Sequence, residues 1–196
     1  MLNGFAYTVV GSKVVKYDLA AGAAATALPV AGGDVYSCAD AGNGGQARFH
    51  TGARVIGTDG SLIYIADTSC GLKAVTPSTG ASRTISARFT TESTIAGRYL
   101  YTLDTYKQIW RYDLQSGQTT RLFESLSLSG AIAADNDALW VFNNSDVKLY
   151  RLAFNGAETK TFPLPNGSVT ATRPAGDHIY YTDSRNLLSR ISKIDG

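Results

Sequence analysis

A repeated spacing between an aromatic residue and a glycine constrains the fold of this chain more than any other feature of its sequence. The spacing is 16 residues from Tyr64 to Gly80, Tyr101 to Gly117, Trp140 to Gly156 and Tyr180 to Gly196, and 15 residues from Tyr7 to Gly22. Successive glycines lie 58, 37, 39 and 40 residues apart. This indicates a unit of about 40 residues with one insertion in the first interval, a period typical of propeller blades.

Each repeated aromatic residue lies in a short segment rich in aromatic and aliphatic residues, a composition that favours β-strands. These segments are 5–9, 62–67, 99–104, 139–143 and 178–183. Turn residues such as Gly97-Arg98 precede them. The repeated glycine is expected to close a hairpin, since glycine adopts positive φ without a Cβ penalty. Because helical periodicity is absent, each unit is predicted to contain four short antiparallel strands.

A four-stranded sheet of this kind has two apolar faces, and it cannot bury both of them alone. Packing of each aromatic residue against the next sheet around an axis solves this problem. We therefore predict an all-β fold, a β-propeller or propeller arc of about five four-stranded blades, the first and last incomplete. The first unit lacks a first strand and the last lacks a fourth. Flanking sequence or a partner chain is therefore expected to complete the ring, rather than five blades closing alone.

The repeat units are expected at residues 1–30, 52–88, 92–125, 129–163 and 167–196 of a single propeller domain or fragment, with an inserted loop at 31–51. The 196 residues are 44% hydrophobic and 17% charged, which excludes disorder and coiled coil. A net charge of +2 gives no indication of nucleic acid. The apolar stretches are much shorter than the roughly 20 residues of a spanning helix, so membrane insertion is not expected. No secretion signal is visible at the first residues.

Cys38 and Cys70 are the only cysteines. Their number alone leaves three alternatives open, which are a disulfide, two buried thiols or part of a metal site. Zinc requires two further ligands, and the only histidines, His50 and His178, lack suitable spacing, so no metal is expected. The choice between a disulfide and free thiols stays open at this point.

The segment 31–80 contains a more specific pattern. It has a glycine-rich lead-in, an Ala-Arg-Phe, an Asp-Gly turn, a Tyr-Ile-Ala-Asp strand and a Thr-Gly hairpin, the last four at 47–49, 59–60, 64–67 and 79–80. This stretch of about 50 residues resembles an NHL repeat of the bacterial, secreted type, while the other units share only its frame. Similar secreted repeats carry one cysteine in the lead-in and another after the Ala-Asp. The resemblance therefore implies a disulfide between Cys38 and Cys70 and an extracellular or cell-surface location.

Four polar residues follow the aromatic strands at equivalent positions, and in a propeller they would lie on one rim: Asp67, Asp104, Asn143 and Asp183. A ring of carboxylates binds a cation in some proteins. The more common role of such residues is to cap their own turn by accepting hydrogen bonds from backbone N–H groups. We favour the capping role and retain the four residues as candidate binding residues.

Further candidates come from the loops. Arg48 and His50 belong to the inserted loop, and long loops on rigid scaffolds often bind ligands. His50 and His178 are the only general-base candidates near neutral pH. Tyr106 and Arg185 project from loops between second and third strands and suit contact with protein or carbohydrate. No catalytic residue and no cofactor are assigned.

These observations predict a non-enzymatic ligand-binding or protein-binding propeller module outside the cell. One alternative is a propeller-type lyase or metal-dependent lactone hydrolase with His50 and the rim carboxylates at its site. Another is an architectural segment of a larger surface protein or toxin. Calcium or zinc retained after purification without chelator favours the enzyme, and flanking sequence that co-purifies favours the architectural segment.

Overall fold

The computed structural model describes residues 5–10, 13–20, 25–27, 38, 49–50, 52–88, 90–124, 130–164 and 168–194. These residues contain 18 β-strands and no helix. The strands form five sheets in chain order, and every pairing with a determined register is antiparallel. By its contacts the chain divides into two compact units, unit 1 (Met1–Thr90) and unit 2 (Thr91–Gly196).

Unit 1 contains two sheets. Sheet 1 has three described strands, β1 (Phe5–Val10), β2 (Lys13–Asp18) and β3 (Ala25–Ala27). Sheet 2 has four, β4 (Arg54–Thr58), β5 (Ile63–Asp67), β6 (Gly71–Val75) and β7 (Ser82–Ser86). Most of the inserted loop predicted at 31–51 lies outside the described residues.

Unit 2 contains three sheets. Sheet 3 consists of β8 (Thr90–Ala96), β9 (Tyr99–Asp104), β10 (Gln108–Asp113) and β11 (Thr119–Glu124). Sheet 4 consists of β12 (Ile132–Ala134), β13 (Leu139–Asn143), β14 (Lys148–Leu152) and β15 (Glu158–Pro163). Sheet 5 has three described strands, β16 (Val169–Ala175), β17 (His178–Asp183) and β18 (Leu188–Ser192). The predicted strands are thus confirmed, and the first and last sheets each have three strands among the described residues.

Each sheet has an aromatic face, which we define as the face that carries the repeated aromatic residue (Tyr7, Tyr64, Tyr101, Trp140 or Tyr180), and an opposite face. In unit 1, Tyr7, Val9 and Val14 on the aromatic face of sheet 1 pack with Ile63, Ile65 and Val75 on the opposite face of sheet 2. The aromatic residues therefore stabilise contacts between neighbouring sheets.

Unit 2 repeats this packing twice. Tyr101, Leu103 and Ile109 of sheet 3 contact Leu139 and Val141 of sheet 4. Trp140 and Phe142 of sheet 4 in turn contact Ile179, Tyr181 and Ile191 of sheet 5, with the rings of Phe142 and Tyr181 5.5 Å apart. Burying an aromatic side chain of this size contributes roughly 4 to 6 kcal/mol before the loss of entropy is subtracted.

The repeated glycine adopts positive φ in the three described hairpins. The φ angles are 71° at Gly80, 74° at Gly117 and 93° at Gly156, as the spacing predicts. The other two members of the series, Gly22 and Gly196, lie outside the described residues. A left-handed glycine reverses each chain between the third and fourth strands, and this fixes the register of the hairpin.

Candidate functional site

The four polar residues that end the aromatic strands β5, β9, β13 and β17 are buried and cap the loops that follow. Oδ1 of Asp104 accepts hydrogen bonds from the backbone N–H groups of Tyr106 (2.8 Å) and Gln108 (3.0 Å). Its Oδ2 accepts a third from Nε1 of Trp110 at 2.8 Å. Oδ1 of Asn143 accepts one from the backbone N–H of Ser145 at 3.0 Å. These contacts are those of the capping role.

Asp183 caps the corresponding loop of sheet 5 and also anchors an arginine. Its Oδ1 accepts hydrogen bonds from the backbone N–H groups of Arg185 and Leu187 at 2.8 and 3.1 Å. Its Oδ2 accepts hydrogen bonds from Nε and Nη2 of the Arg185 side chain at 2.9 and 2.6 Å. The guanidinium of Arg185 and the backbone donors outweigh the effect of burial and hold the pKa of Asp183 below its ordinary value. Two charge-assisted bonds of this kind orient an otherwise flexible side chain.

In unit 1, Asp67 joins its loop to the end of the inserted segment. Oδ1 accepts hydrogen bonds from the backbone N–H groups of Ser69 and Cys70, and Oδ2 accepts one from the backbone N–H of His50 at 2.7 Å. The side chain of His50 is exposed, and its Nδ1 lies 3.3 Å from Oγ1 of Thr68. The structure thus brings His50 and Asp67 together through the backbone. Arg48 lies outside the described residues.

Tyr106 and Arg185 are exposed on the loops of unit 2. Tyr106 is 75% exposed, and the side chain of Arg185 is 60% exposed while it is held by Asp183. The intervening loop of sheet 4 is tied to sheet 5, because Nδ2 and Oδ1 of Asn144 bond the backbone C=O and N–H of Val169 at 3.2 and 2.8 Å. The loops of this rim are therefore fixed in place before any ligand binds.

A cavity of about 260 Å³ lies at the same end of unit 2. It is lined by the beginnings of the first strands of all three sheets and by one rim loop, through Thr91, Glu92, Lys107, Gly130, Ala131 and Thr170. Hydroxyl groups, one carboxylate and one ammonium group thus face a small opening beside the loop of Tyr106. The sequence did not indicate this cavity, because its walls come from segments far apart in the chain.

A second repeated aspartate was missed by the sequence analysis. Asp59 and Asp135 each lie five residues before the repeated aromatic residue. Oδ2 of Asp59 accepts a hydrogen bond from the hydroxyl of Tyr64 at 2.6 Å, and Oδ2 of Asp135 accepts one from Nε1 of Trp140 at 2.9 Å. Their Oδ1 atoms cap the turn before the aromatic strand. The spacing of five residues was the available signal, and it occurs in two of the five units.

Asp135 also forms an ion pair with Lys193, Nζ to Oδ2 at 2.7 Å. Burial alone would raise the pKa of Asp135, but Lys193, the backbone N–H of Asp137 and the indole of Trp140 lower it to about 2. The pair lies in a cavity of about 380 Å³ that also contains Arg151, Lys160 and Asp177. Three cationic side chains (Arg151, Lys160 and Lys193) and three carboxylates (Asp135, Asp137 and Asp177) line this cavity, so its formal charges sum to zero.

The disulfide between Cys38 and Cys70 is present, with the two Cα atoms 5.1 Å apart. Its neighbour Lys73 is only 1% exposed, although it is charged. Nζ of Lys73 donates to the backbone C=O of Cys38 at 2.7 Å and to Oγ1 of Thr84 at 3.2 Å. A covalent bond and a charge-assisted hydrogen bond therefore attach the lead-in segment to sheet 2.

Removal of this disulfide is expected to lower the free energy of unfolding of unit 1 by about 3 to 4 kcal/mol, because the bond joins residues 32 positions apart in the unfolded chain. Denaturant unfolding of the variant Cys38→Ser/Cys70→Ser, compared with the native chain, measures the loss. Reductant should shift the native chain to the midpoint of the variant and leave the variant unchanged. A reductant effect of equal size on both proteins would contradict this assignment.

Among the described residues, no cluster of three or more His, Cys, Asp or Glu side chains suited to a metal ion occurs. None of the described segments is a long apolar helix of the kind that crosses a membrane.

No protein-family model matches the sequence. No curated protein matches it either.

The fold is similar to solved structures of very different sequence. The computationally designed Ika8 protein has a TM-score of 0.71 at 9% identity, and the alignment covers 100% of this chain and 57% of that chain. A structure of a nidogen/laminin complex has a TM-score of 0.67 at 14% identity, with 92% and 67% covered. BamB from Moraxella catarrhalis has a TM-score of 0.56 at 15% identity, with 97% and 58% covered.

These similarities show that the fold is a β-propeller arrangement of antiparallel sheets, which confirms the predicted fold class. At such low identity they show the fold alone, since one fold serves many functions. The chain spans little more than half of the length of the designed protein and of BamB.

Proposed function

We propose that this protein is a non-enzymatic binding module that recognises another protein through the loop rim of unit 2. The observation that carries the proposal is the pair of exposed side chains, Tyr106 and Arg185, on loops whose backbones are fixed by Asp104 and Asp183. Tyrosine and arginine are enriched among the residues that dominate protein interfaces. Their fixed loops reduce the entropy lost on binding. One of the similar structures is a nidogen/laminin complex, which supports a protein-binding role.

We further propose that the module works outside the cytoplasm and that sheet 2 and its lead-in are NHL-like. The disulfide supports an oxidising compartment, since such bonds are rare in reducing cytosol. The Ala-Arg-Phe, Asp-Gly and Ala-Asp elements of the lead-in, β4 and β5 support the family resemblance. His50 and Asp67, joined at 2.7 Å, form a secondary candidate surface in unit 1.

The native chain and the double variant Tyr106→Ser/Arg185→Gln are each immobilised and exposed to secreted and envelope proteins of the source organism. The test compares which proteins each of the two captures and how tightly they bind. A partner of the rim is expected to bind the double variant at least about tenfold more weakly, because truncated interface anchors typically cost 1 to 2 kcal/mol or more each. Asn136→Ser is the matched control, since Asn136 is also exposed but lies in the turn before β13.

The outcome that overturns the proposal is capture that does not depend on the two residues. If every captured protein binds the native chain, the double variant and Asn136→Ser equally, the rim of unit 2 is not a recognition surface. Thermal unfolding of all three proteins verifies that the variants remain folded.

A further inference from the structure

The hydroxyl group of Tyr101 is buried without a hydrogen-bond partner among the described residues. The side chain of Tyr101 has 0% exposure, and its hydroxyl oxygen forms no hydrogen bond within the described part of the chain. A buried hydroxyl group without a partner costs free energy, because it gives up its hydrogen bonds to water. Burial also raises the pKa of Tyr101 to about 12, so the hydroxyl group keeps its proton and remains a donor.

The repeated aromatic residues of sheets 2 and 4 each donate a hydrogen bond to an aspartate. In both sheets the aspartate lies five residues before the aromatic residue, and it accepts the bond from Tyr64 at 2.6 Å and from Trp140 at 2.9 Å. In sheet 3 the residue five positions before Tyr101 is Ala96. The hydroxyl group of Tyr101 is therefore unpaired because an alanine occupies the position of the carboxylate.

A cavity of about 270 Å³ lies beside Tyr101 and is lined by residues of sheets 3 and 4. Its walls include Ala96, Arg98, Tyr99, Tyr101, Asp135 and Phe154. Tyr101 occupies the same position in its sheet as Tyr64, so its hydroxyl group is expected to point towards Ala96, as that of Tyr64 points towards Asp59. An acceptor bound in this cavity would thus reach the hydroxyl group that the chain leaves unpaired.

Two arginines lie beside the cavity, next to the ring of Tyr99. The guanidinium carbons of Arg98 and Arg111 are each 5.0 Å from the centroid of this ring. Arg98 also forms an ion pair with Asp113, Nη2 to Oδ2 at 2.7 Å, and its side chain remains 53% exposed. Two guanidinium groups and one carboxylate at this side of the cavity favour an anionic ligand over a cationic one.

The other walls suit an aromatic ring. The ring of Phe154 stacks on Tyr101 at 5.7 Å, and that of Tyr99 lies 6.3 Å from Tyr101. The carboxylate of Asp135 also lines the cavity, but its charge is compensated by Lys193, whose Nζ lies 2.7 Å from Oδ2. A cavity of roughly 150 Å³ accommodates a benzene ring. The volume beside Tyr101 is therefore sufficient for a ring that carries a carboxylate.

We infer that this cavity binds a small aromatic carboxylate, which accepts from Tyr101 the hydrogen bond that an aspartate accepts in sheets 2 and 4. The guanidinium group of Arg98 stabilises the charge of the ligand, and the ring of the ligand packs against Tyr99 and Phe154. The cavity lies at the turns between first and second strands, whereas the loop rim lies between second and third strands. The inference therefore does not rest on the proposed rim function.

The test titrates the full chain with benzoate, and with benzyl alcohol as a neutral probe of similar size, by isothermal titration calorimetry. The native chain is expected to bind one benzoate, at least about tenfold more tightly than benzyl alcohol. Tyr101→Phe is expected to weaken benzoate binding at least about tenfold, because a hydrogen bond to a charged group is lost. Tyr64→Phe is the matched control, since its hydroxyl group is bonded to Asp59, and it should bind benzoate as the native chain does.

A second pair of variants supplies the carboxylate from the chain itself. Ala96→Asp places an aspartate five residues before Tyr101, as in sheets 2 and 4, and is expected to abolish benzoate binding and to raise the thermal unfolding midpoint. Ala175→Asp is the matched control in sheet 5, where Ala175 is exposed and Tyr180, five residues later, is only partly buried. It should bind benzoate as the native chain does.

Several results would overturn the inference. A native chain that shows no saturable binding of benzoate overturns it, as does equal binding by the native chain and Tyr101→Phe. Benzyl alcohol that binds as tightly as benzoate overturns the carboxylate class of the ligand. Tyr101→Phe should keep the unfolding midpoint of the native chain, whereas Tyr64→Phe should lower it. A midpoint that falls equally in both variants would show that the hydroxyl group of Tyr101 already has a partner.

Discussion

Replacing Asp104 by alanine is expected to lower the free energy of unfolding of unit 2 by about 4 kcal/mol. The carboxylate is buried and accepts hydrogen bonds from two backbone N–H groups and from the indole N–H of Trp110. Hydrogen bonds to charged groups contribute about 1.5 to 3 kcal/mol each, and leaving their donors unpaired adds a further cost. Chemical denaturation, with hydrogen exchange to assign the transition to unit 2, measures the effect.

Asp104→Asn is the matched control for this substitution. An amide retains an oxygen for the backbone N–H groups of Tyr106 and Gln108, as Asn143 does for Ser145 at the equivalent position of sheet 4. It places an NH₂ group against Nε1 of Trp110, so the expected loss is about half of that for alanine. Calcium added to the native protein and to both variants should leave their unfolding midpoints unchanged. A calcium-dependent midpoint that disappears in Asp104→Ala would contradict the capping role and support a cation ring.

The strands and hairpins were predictable because their determinants are local. An aromatic residue within an aliphatic run defines the second strand of each unit, and a glycine 15 or 16 residues later defines the hairpin, whatever the rest of the chain does. The caps at Asp67, Asp104, Asn143 and Asp183 also follow from sequence, since each bonds to N–H groups within four residues.

The rest of the candidate site depends on contacts between distant segments. Lys73 occupies a core position of β6, and its charge is accommodated by the carbonyl of Cys38, which is 35 residues away. Asp135 and Lys193 form an ion pair although they are 58 residues apart in the chain, so the sequence gives no indication that they are partners. The disulfide was implied by a family resemblance rather than by spacing. Tyr106 and Arg185 were identified from their loops, and the anchoring of Arg185 by Asp183 was visible only in three dimensions.

The exposure of Leu188 illustrates a different limit, because Leu188 is 71% exposed while its equivalents Leu72, Ile109 and Leu149 are fully buried. Leu188, Leu72, Ile109 and Leu149 are indistinguishable as residues of third strands, and each predicts a buried position. Whether such a position is buried depends on the presence of a next sheet. Sequence periodicity therefore determines which face of a sheet is apolar, while the packing of a neighbouring sheet determines whether that face meets solvent.

Gly71→Ala is expected to lower the free energy of unfolding of unit 1 by about 4 kcal/mol. Gly71 begins β6 with a φ of 78°, where a Cβ costs about 1 to 2 kcal/mol. A Cβ at this position would lie 2.2 Å from the backbone oxygen of Ser86 and 2.9 Å from the backbone carbon of Ala87. Because these are backbone atoms, the end of β7 must move away, which adds an overpacking cost of about 1 to 3 kcal/mol. Chemical denaturation followed by hydrogen exchange of unit 1 amides measures the loss.

Gly60→Ala separates the two contributions. Gly60 lies in the turn between β4 and β5 of the same sheet at a φ of 95°, and a Cβ there would have no heavy atom within 4 Å. Its expected cost is therefore that of the backbone conformation alone, about 1 to 2 kcal/mol. The difference between the two variants reports the close approach of β6 to the end of β7, beside the Cys70 end of the disulfide. Equal losses would mean that β7 relaxes freely, and the lead-in segment would then be attached to a mobile edge rather than to a rigid one.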